Sequence, residues 1–233
     1  MTDSPTPTTA PMIAASNEDI LIQSLPTVSR LALVYAPRSA REQTLALLAL
    51  DARLAHLLRH SREPMMAQLR LAWWRESLGQ SADQWPEGEP LLALLKSWNG
   101  HHGGLVPLID GWEAMTGAAP LPPTALEAMA QGRGEAFAAL AEALGRSAER
   151  AAALKLGRAW ALNDLAMRLG HASERAAARK LAQASGGARL SRSLRPLMVL
   201  HGLAARRLEK GDESGATSPA AMLKAMRLGL LGF

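Results

Sequence analysis

The chain reads Leu69-Arg70-Leu71-Ala72-Trp73-Trp74-Arg75-Glu76-Ser77-Leu78 where two tryptophans stand side by side. The stretch belongs to a segment that we predict to be helical from the Glu63-Pro64 pair to Leu78, because Pro is favoured in the first turn of a helix. Neighbouring side chains on a helix lie about 100° apart, so both rings cannot face the same side. We therefore predict that one ring anchors the core and that its neighbour packs on a second helix or lines a cavity.

The composition favours helices throughout the chain. Leu and Ala dominate the 233 residues, whereas Tyr occurs once and Phe twice. Because strands are rich in aromatic and β-branched residues, this scarcity argues against a β-sheet. The absence of cysteine excludes disulfides, thiolate metal sites and thiol catalysis. No run of apolar residues is long enough for a transmembrane helix, which needs about 18.

Helix start and stop signals follow one another with short breaks. They predict a single all-α domain of roughly eight to ten helices over residues 17–233, with Asn17 and Thr124 as two of the N-caps. The longest amphipathic stretch covers residues 39–59, and its apolar positions keep the spacing of a buried stripe: Leu47, Leu50, Leu54 and Leu57. Residues 1–16 are rich in Thr, Pro and Ala and lack an early basic residue, so we predict a disordered tail there.

Basic residues are concentrated late in the chain. The net charge is +5, but residues 1–150 carry 12 basic and 16 acidic residues, and residues 151–233 carry 14 basic and 5 acidic ones. Such an asymmetry indicates an anionic partner, which can be a membrane surface, a phosphorylated ligand or a nucleic acid. A solvated basic face is the alternative. A nucleic acid is the least favoured partner, because the chain has few aromatic residues for its helices to expose.

Six motifs appear in a fixed order between residues 20 and 210. They are Arg30 to Pro37 with Arg41, the pair Glu63-Pro64, residues 69–78, Gly132 to Phe137, Leu156 to Leu162, and Leu194 to Pro196 with Ala204 to Leu208. In order and spacing these motifs resemble segments of the squalene/phytoene synthase family. The resemblance implies an all-helical isoprenoid-synthase bundle around a central cavity, in which the family's enzymes join two prenyl diphosphates head to head.

The acidic residues that this chemistry requires are missing. In the family, two Asp-rich motifs on facing helices hold Mg²⁺ ions, which neutralise the charge of the leaving diphosphate. The first motif aligns with residues 55–59, which contain no acidic residue and end in Arg59, and the second aligns with residues 163–168, where Asp164 is the only acidic residue. The alignment therefore predicts no metal and no catalytic residue in this chain.

Two aspartates remain as candidate relics of the metal-binding helices. Asp51 lies one turn before the first motif position, and Asp164 lies in the second. We expect them to form ion pairs with Arg53 and Arg168, or with other cations. The alternative is a divergent prenyltransferase that uses Asp51 and Asp164 with Mg²⁺ and rearranged ligands.

A subset of the family that keeps the fold and loses the acids fits better. Residues 49–55 and 70–74 are similar to motifs of the mitochondrial complex I assembly factors related to phytoene synthase, although Arg53 replaces the Glu of that pattern. The resemblance implies a pseudoenzyme that acts as a binding or assembly factor, with a protein partner at the inner membrane face and an isoprenoid or lipid ligand. It also implies a cytoplasmic location that is peripheral to that membrane.

The candidate ligand-binding residues follow from the same motifs. The predicted cavity wall consists of Trp73, Trp74 and Trp160, and the predicted anion contacts are Arg70, Arg75, Arg206 and Arg207. Arginine suits such contacts because its planar fork of donors matches phosphate oxygens. Each set also has a simpler interpretation, since tryptophans at helical spacing are commonly core residues and arginine clusters are commonly solvated.

Overall fold

The computed structural model describes residues 16–60, 63–183, 188–211 and 218–233. Within these ranges the fold belongs to the all-α class. The α-helices in these ranges are α1 (Asn17–Ser24), α2 (Thr27–Val34), α3 (Arg38–His60), α4 (Pro64–Gly79), α5 (Pro90–Leu95), α6 (Val106–Ala114), α7 (Pro123–Ala143), α8 (Arg150–Arg168), α9 (Ala172–Gln183), α10 (Arg195–Lys210) and α11 (Pro219–Met226). A π-helical turn, Arg227–Leu231, extends α11. The predicted disordered tail lies outside the described residues, apart from Ser16.

Two of the predicted helix caps are wrong. Ser16, not Asn17, caps α1: its Oγ accepts from the Asp19 N–H at 3.2 Å, and the Asp19 carboxylate accepts from the Ser16 N–H at 3.2 Å. This reciprocal pair is a capping box. Thr124 lies inside α7, because the chain enters that helix through Pro122 in an extended conformation.

The main core is a contiguous cluster of buried apolar side chains that runs from Leu21 to Ala225, and Ala130, Ala161 and Leu162 form a small second cluster between α7 and α8. The predicted stripe of α3 belongs to the main core, and all four of its leucines are buried: Leu47, Leu50, Leu54 and Leu57. Helices α7 and α8 pack extensively on each other and are mostly buried. None of the described helices combines the length and the apolar composition needed to cross a bilayer.

Glycine brings α7 and α8 together backbone to backbone. A Cβ atom on Gly157 would lie 2.7 Å from the carbonyl oxygen of Arg133 and 2.9 Å from the Cα of Gly134. Atoms of the helix backbone cannot move aside for such a contact, so only glycine permits this spacing. The close approach places the side chain of Arg133 beside the facing side of α8.

Candidate functional site

A narrow cleft lies between α3, α7, α8 and α10. Its charged lining residues are Asp51 and Arg59 from α3, Arg133 from α7, Asp164 and Arg168 from α8, and Arg207 from α10. The accessible space in the cleft is about 40 Å³, which exceeds the minimum that a single water requires. The cleft can admit a small polar group without rearrangement, but not a long hydrocarbon chain.

Arg133 bridges the two aspartates at the centre of this cleft. Its Nη2 and Nε donate to the Oδ2 and Oδ1 of Asp51 at 2.9 and 3.1 Å, and its Nη1 donates to the Oδ2 of Asp164 at 3.2 Å. The Arg133 side chain is only 5 % exposed. One buried guanidinium thus joins carboxylates from α3 and α8, with the two-pronged geometry that makes arginine–carboxylate pairs strong.

Two indole rings enclose the guanidinium of Arg133. Its central carbon lies 4.3 Å from the ring centre of Trp160 and 5.3 Å from that of Trp112, distances suited to cation–π attraction. Trp112 also donates its Nε1–H to the Oδ1 of Asp51 at 3.0 Å. The ring of Phe137 stacks on that of Trp160, with 5.2 Å between the ring centres. Burial opposes the charged form of Arg133, but Asp51 and Asp164 outweigh it and raise the pKa of the guanidinium above its ordinary value.

Asp164 is surrounded by three guanidinium groups. Besides Arg133, its carboxylate contacts the Nε of Arg168 at 2.7 Å and the Nη1 of Arg207 at 3.8 Å. The predicted pairing with Arg168 is therefore present, whereas Arg53 pairs with Glu89 at 3.5 Å instead of with Asp51. Side chains two positions apart on a helix point in nearly opposite directions, which is why Arg53 cannot reach the cleft from α3.

The residues of this cleft do not fit a divalent cation. A Mg²⁺ site requires free oxygen ligands, but both oxygens of Asp51 and both oxygens of Asp164 already accept from arginine. Arg59 stands at the position where the family's motif would supply a further carboxylate. Across the part of the chain that the structure describes, no three His, Cys, Asp or Glu side chains are grouped closely enough to hold a metal.

The charge of the cleft suits an anion instead. Four arginines line it against two aspartates, which leaves a surplus of two positive charges. Arg59 is exposed at the mouth and forms no ion pair with a described residue. Because a guanidinium can donate two parallel hydrogen bonds to a phosphate or carboxylate, this arrangement can bind a small oxyanion.

The predicted cavity-wall tryptophans have separate locations. Trp160 lines the cleft and is 8 % exposed. Trp74 is buried in the core, and Trp73 lies on the surface of α4, where its ring meets that of Trp74 edge to face at 4.9 Å. Trp73 and Trp74 are not in the cleft lining, because α4 packs on α3 and α6, away from the face where α8 and α10 meet.

The predicted anion contacts are equally dispersed. Arg207 is buried in the cleft, Arg206 is half-buried, and Arg70 is exposed on α4. Arg75 joins α4 to α6 through Asp110 at 2.6 Å and Glu113 at 2.5 Å, and the hydrogen bonds that it donates to these two acids raise its pKa. Of the four arginines, only Arg207 is thus a lining residue of the cleft.

Sequence reasoning did not assign a role to Arg133 or Trp112. The signal was present in the motif Gly132-Arg133-Gly134, where an arginine stands between two glycines inside a helix. Glycine weakens a helix interior by up to about 1 kcal/mol relative to alanine, so two of them indicate a close approach of another backbone. A charged side chain between them is then directed at a buried interface.

No family model, curated protein or solved structure matches this chain. The likeness to squalene/phytoene synthase therefore rests on the order and spacing of its sequence motifs. Function has to be argued from the chemistry of the cleft.

Proposed function

We propose that this protein is a non-catalytic binding or assembly protein on a squalene/phytoene-synthase-like scaffold, in which Arg133 takes the place of the divalent cations. The observation that carries the proposal is the bridge from one buried guanidinium to Asp51 and Asp164. These aspartates come from α3 and α8, the two helices to which the resemblance assigns the metal motifs. Arg133 and Arg168 together balance the charge of the two carboxylates and engage all four of their oxygens.

The loss of metal ligands removes the chemistry and leaves a binding site. Prenyl transfer needs a diphosphate to depart, and Mg²⁺ lowers the cost of its developing charge through oxygen ligands. The guanidinium groups of the cleft can hold an oxyanion, but the two aspartates are engaged by Arg133 and Arg168. The alternative of a divergent prenyltransferase would require these ion pairs to break before any metal could bind.

The ligand that fits is an anionic head group. The surplus of positive charge selects phosphate or carboxylate oxygens, and the space of about 40 Å³ limits what can enter. An isoprenoid or lipid would place its head group in the cleft and its chain outside. A location at the cytoplasmic side of a membrane, with a protein partner there, completes the proposal and is supported by the basic second half of the chain.

Direct assay separates the binding protein from the enzyme. The protein is incubated with farnesyl diphosphate or geranylgeranyl diphosphate and Mg²⁺, and released pyrophosphate is measured. We expect no release above the protein-free control. Release that is abolished by Asp51→Ala or Asp164→Ala would overturn the non-catalytic proposal.

Thermal unfolding with inorganic pyrophosphate, in the absence of Mg²⁺, tests the anion site. At about ten times the dissociation constant, a ligand stabilises the native state by about 1.4 kcal/mol, which raises the melting temperature. Arg59→Gln should weaken this effect because it removes the unpaired cation at the mouth of the cleft. Arg70→Gln is the matched control, since Arg70 is exposed outside the cleft. Equal responses of the two variants would contradict the assignment.

A further inference from the structure

Residues 219–233 form a helical segment that is apolar on both faces. Its outer side carries large apolar residues that are 45–62 % exposed: Met222, Leu223, Met226, Leu230, Leu231 and Phe233. We call these six residues the docking face. They make up half of the large apolar side chains that the described residues expose. Contiguous exposed apolar patches of this kind commonly mark interaction sites, and none of the described residues covers this one.

The inner side of the same segment explains why the large residues point outward. Ala221, Ala225 and Gly229 are buried, and α11 packs on α10. Gly229 lies against the ring of Tyr35, which leaves no room for a Cβ atom. These small residues and Leu228, which packs against Gly202 of α10, make the intramolecular contact, while the six residues of the docking face do not contribute to the core. Burial of one large apolar side chain contributes about 1.5–3 kcal/mol. A partner that covers the docking face would therefore gain a free energy of binding that the fold itself does not use.

Positive charge borders the docking face. Lys224 and Arg227 lie within the segment, and the chain contains no acidic residue from 214 to 233. The Arg227 guanidinium lies 5.6 Å from the ring centre of Phe233. From α10, Arg195 donates to the carbonyl oxygens of Gly229 and Leu230, which brings a third cation to this end of the molecule. Glu209 of α10 also acts on Lys224, but Arg227 and Arg195 add further positive charge to the same border. An apolar surface with a cationic border is complementary to an anionic lipid bilayer.

We propose that the docking face inserts into the interfacial region of an anionic membrane, with Arg227 and Lys224 at the level of the lipid phosphates. This inference rests on the peripheral membrane association proposed above and names the surface that performs it. Residues 219–231 are about 20 Å long at the rise of a helix, too short to span a bilayer, which takes about 20 residues. The segment therefore lies in the membrane plane, as interfacial amphipathic helices do.

A second copy of the chain suits this face less well than lipid. A two-fold interface would bring the docking faces of two protomers together and would place Lys224 and Arg227 near their own copies. No acidic residue of the segment could pair with them, and Glu209 of α10 acts on Lys224 alone, so like charges would meet with only partial compensation. Lipid phosphates supply that compensation.

Vesicle co-sedimentation of the full chain tests the inference. The vesicles consist of phosphatidylcholine with about one third phosphatidylglycerol, compared with phosphatidylcholine alone. We expect the wild type to bind the anionic vesicles preferentially. The double variant Leu223→Ser with Leu230→Ser should bind them at least about tenfold more weakly. Arg227→Ser should lose about fivefold, and only on anionic vesicles.

Leu69→Ser is the matched control, because Leu69 on α4 and Leu230 are both 58 % exposed. Its vesicle binding should equal that of the wild type, and all variants should keep the wild-type thermal transition because the changed side chains are exposed. If the wild type ignores anionic vesicles, both the docking face and the peripheral association are wrong. If the wild type binds and the double variant binds equally, only the docking face is wrong.

Light scattering during size-exclusion chromatography completes the test. We expect wild type and double variant to have the same mass. A wild-type dimer that becomes a monomer in the double variant would assign the face to a second copy and overturn the membrane proposal. Retained affinity for pyrophosphate in the double variant would show that the anion site is independent of the docking face.

Discussion

Arg133 and Arg75 each bridge two carboxylates, but at different depths in the molecule. The side chain of Arg133 is 5 % exposed, whereas that of Arg75, which joins Asp110 and Glu113, is 36 % exposed. Water screens the outer pair and makes its net contribution small. In the cleft, desolvation is expensive, and removal of one partner leaves the others as uncompensated buried charges.

Replacement of Arg133 by methionine should therefore destabilise the protein strongly. We expect Arg133→Met to lower the free energy of unfolding by about 3–5 kcal/mol, because two buried carboxylates lose their shared counter-charge. Arg75→Met, the matched change at the more exposed arginine, should lower the free energy of unfolding by less than about 1 kcal/mol. Urea denaturation at neutral pH measures both values.

The triple variant Asp51→Asn, Arg133→Met, Asp164→Asn separates charge from packing. It should recover part of the stability lost in Arg133→Met, since no buried carboxylate remains without a partner, while Arg168 and Arg207 lose the charge of Asp164. Equal stability of the single and triple variants would show that Arg133 acts through its packing between the two indole rings instead.

His201 provides a pH dependence that can be assigned to one residue. Burial and the nearby charge of Lys224 lower the pKa of His201 from 6.5 to about 4. Between these values the unfolded chain binds a proton that the native protein does not, so stability falls as the pH drops from about 6.5 towards 4. The whole loss is about 3 kcal/mol.

The variant His201→Asn should lack this part of the pH dependence. Urea denaturation at pH values near 7 and near 4.5 gives the loss for each protein. His171→Asn is the control, because His171 is exposed, and it should lose as much stability as the wild type. A wild-type loss that persists in His201→Asn would assign the titration to another group.

At the scale of elements, the packing of α7 on α8 depends on Gly157. A methyl group there would meet the Arg133 carbonyl oxygen at 2.7 Å and the Cγ of Phe137 at 2.9 Å. We expect Gly157→Ala to lower the free energy of unfolding by about 1–3 kcal/mol, the usual cost of overpacking.

Gly79→Ala is the control for this substitution. Gly79 ends α4, and a Cβ atom there would have no neighbour within 4 Å. It should leave stability unchanged or raise it by up to about 1 kcal/mol, because alanine restricts the unfolded chain more than glycine does. Equal losses in both variants, measured by urea denaturation, would contradict the close-packing argument.

Helix positions could be predicted from sequence more closely than helix caps. The stretch predicted over residues 39–59 is the helix Arg38–His60, because leucine periodicity defines its length. The caps at Asn17 and Thr124 were wrong, since several polar residues near a helix start can serve as a cap. The backbone conformation of the preceding residues decides among them, and sequence spacing does not reveal it.

The cleft could be predicted only in part. Asp51 and Asp164 were recognised because the resemblance assigns their two helices to face each other. Arg133 was not recognised, because the helical periodicity indicates which side of α7 it occupies but does not indicate which helix packs against that side. Trp73 shows the same limit: its angle from Trp74 follows from helix geometry, whereas its exposure depends on where α4 packs.

At the scale of the whole molecule, burial is greatest in the middle helices and low in α11, as it also is in α1 and α9. In α7, 13 of the 21 residues are buried, whereas in α11 only Ala221 and Ala225 of the 8 residues are. The free energy of local opening increases with buried contact, so α11 should open without disturbing α7 and α8. The proposed docking element can thus adapt to a partner at a lower cost than the central helices α7 and α8 could.

Hydrogen exchange measured by mass spectrometry tests this gradient. In native buffer, amides of α7 and α8 should exchange slowest, through openings close to global unfolding. Amides of α11 should exchange faster than those of α7 and α8, because fewer of its residues are buried. If α11 in the free protein exchanges as slowly as α7, its outer face is already covered in solution, and the monomer is not the species present. The Arg133→Met variant should accelerate α3, α7 and α8 together, because its guanidinium joins all three helices.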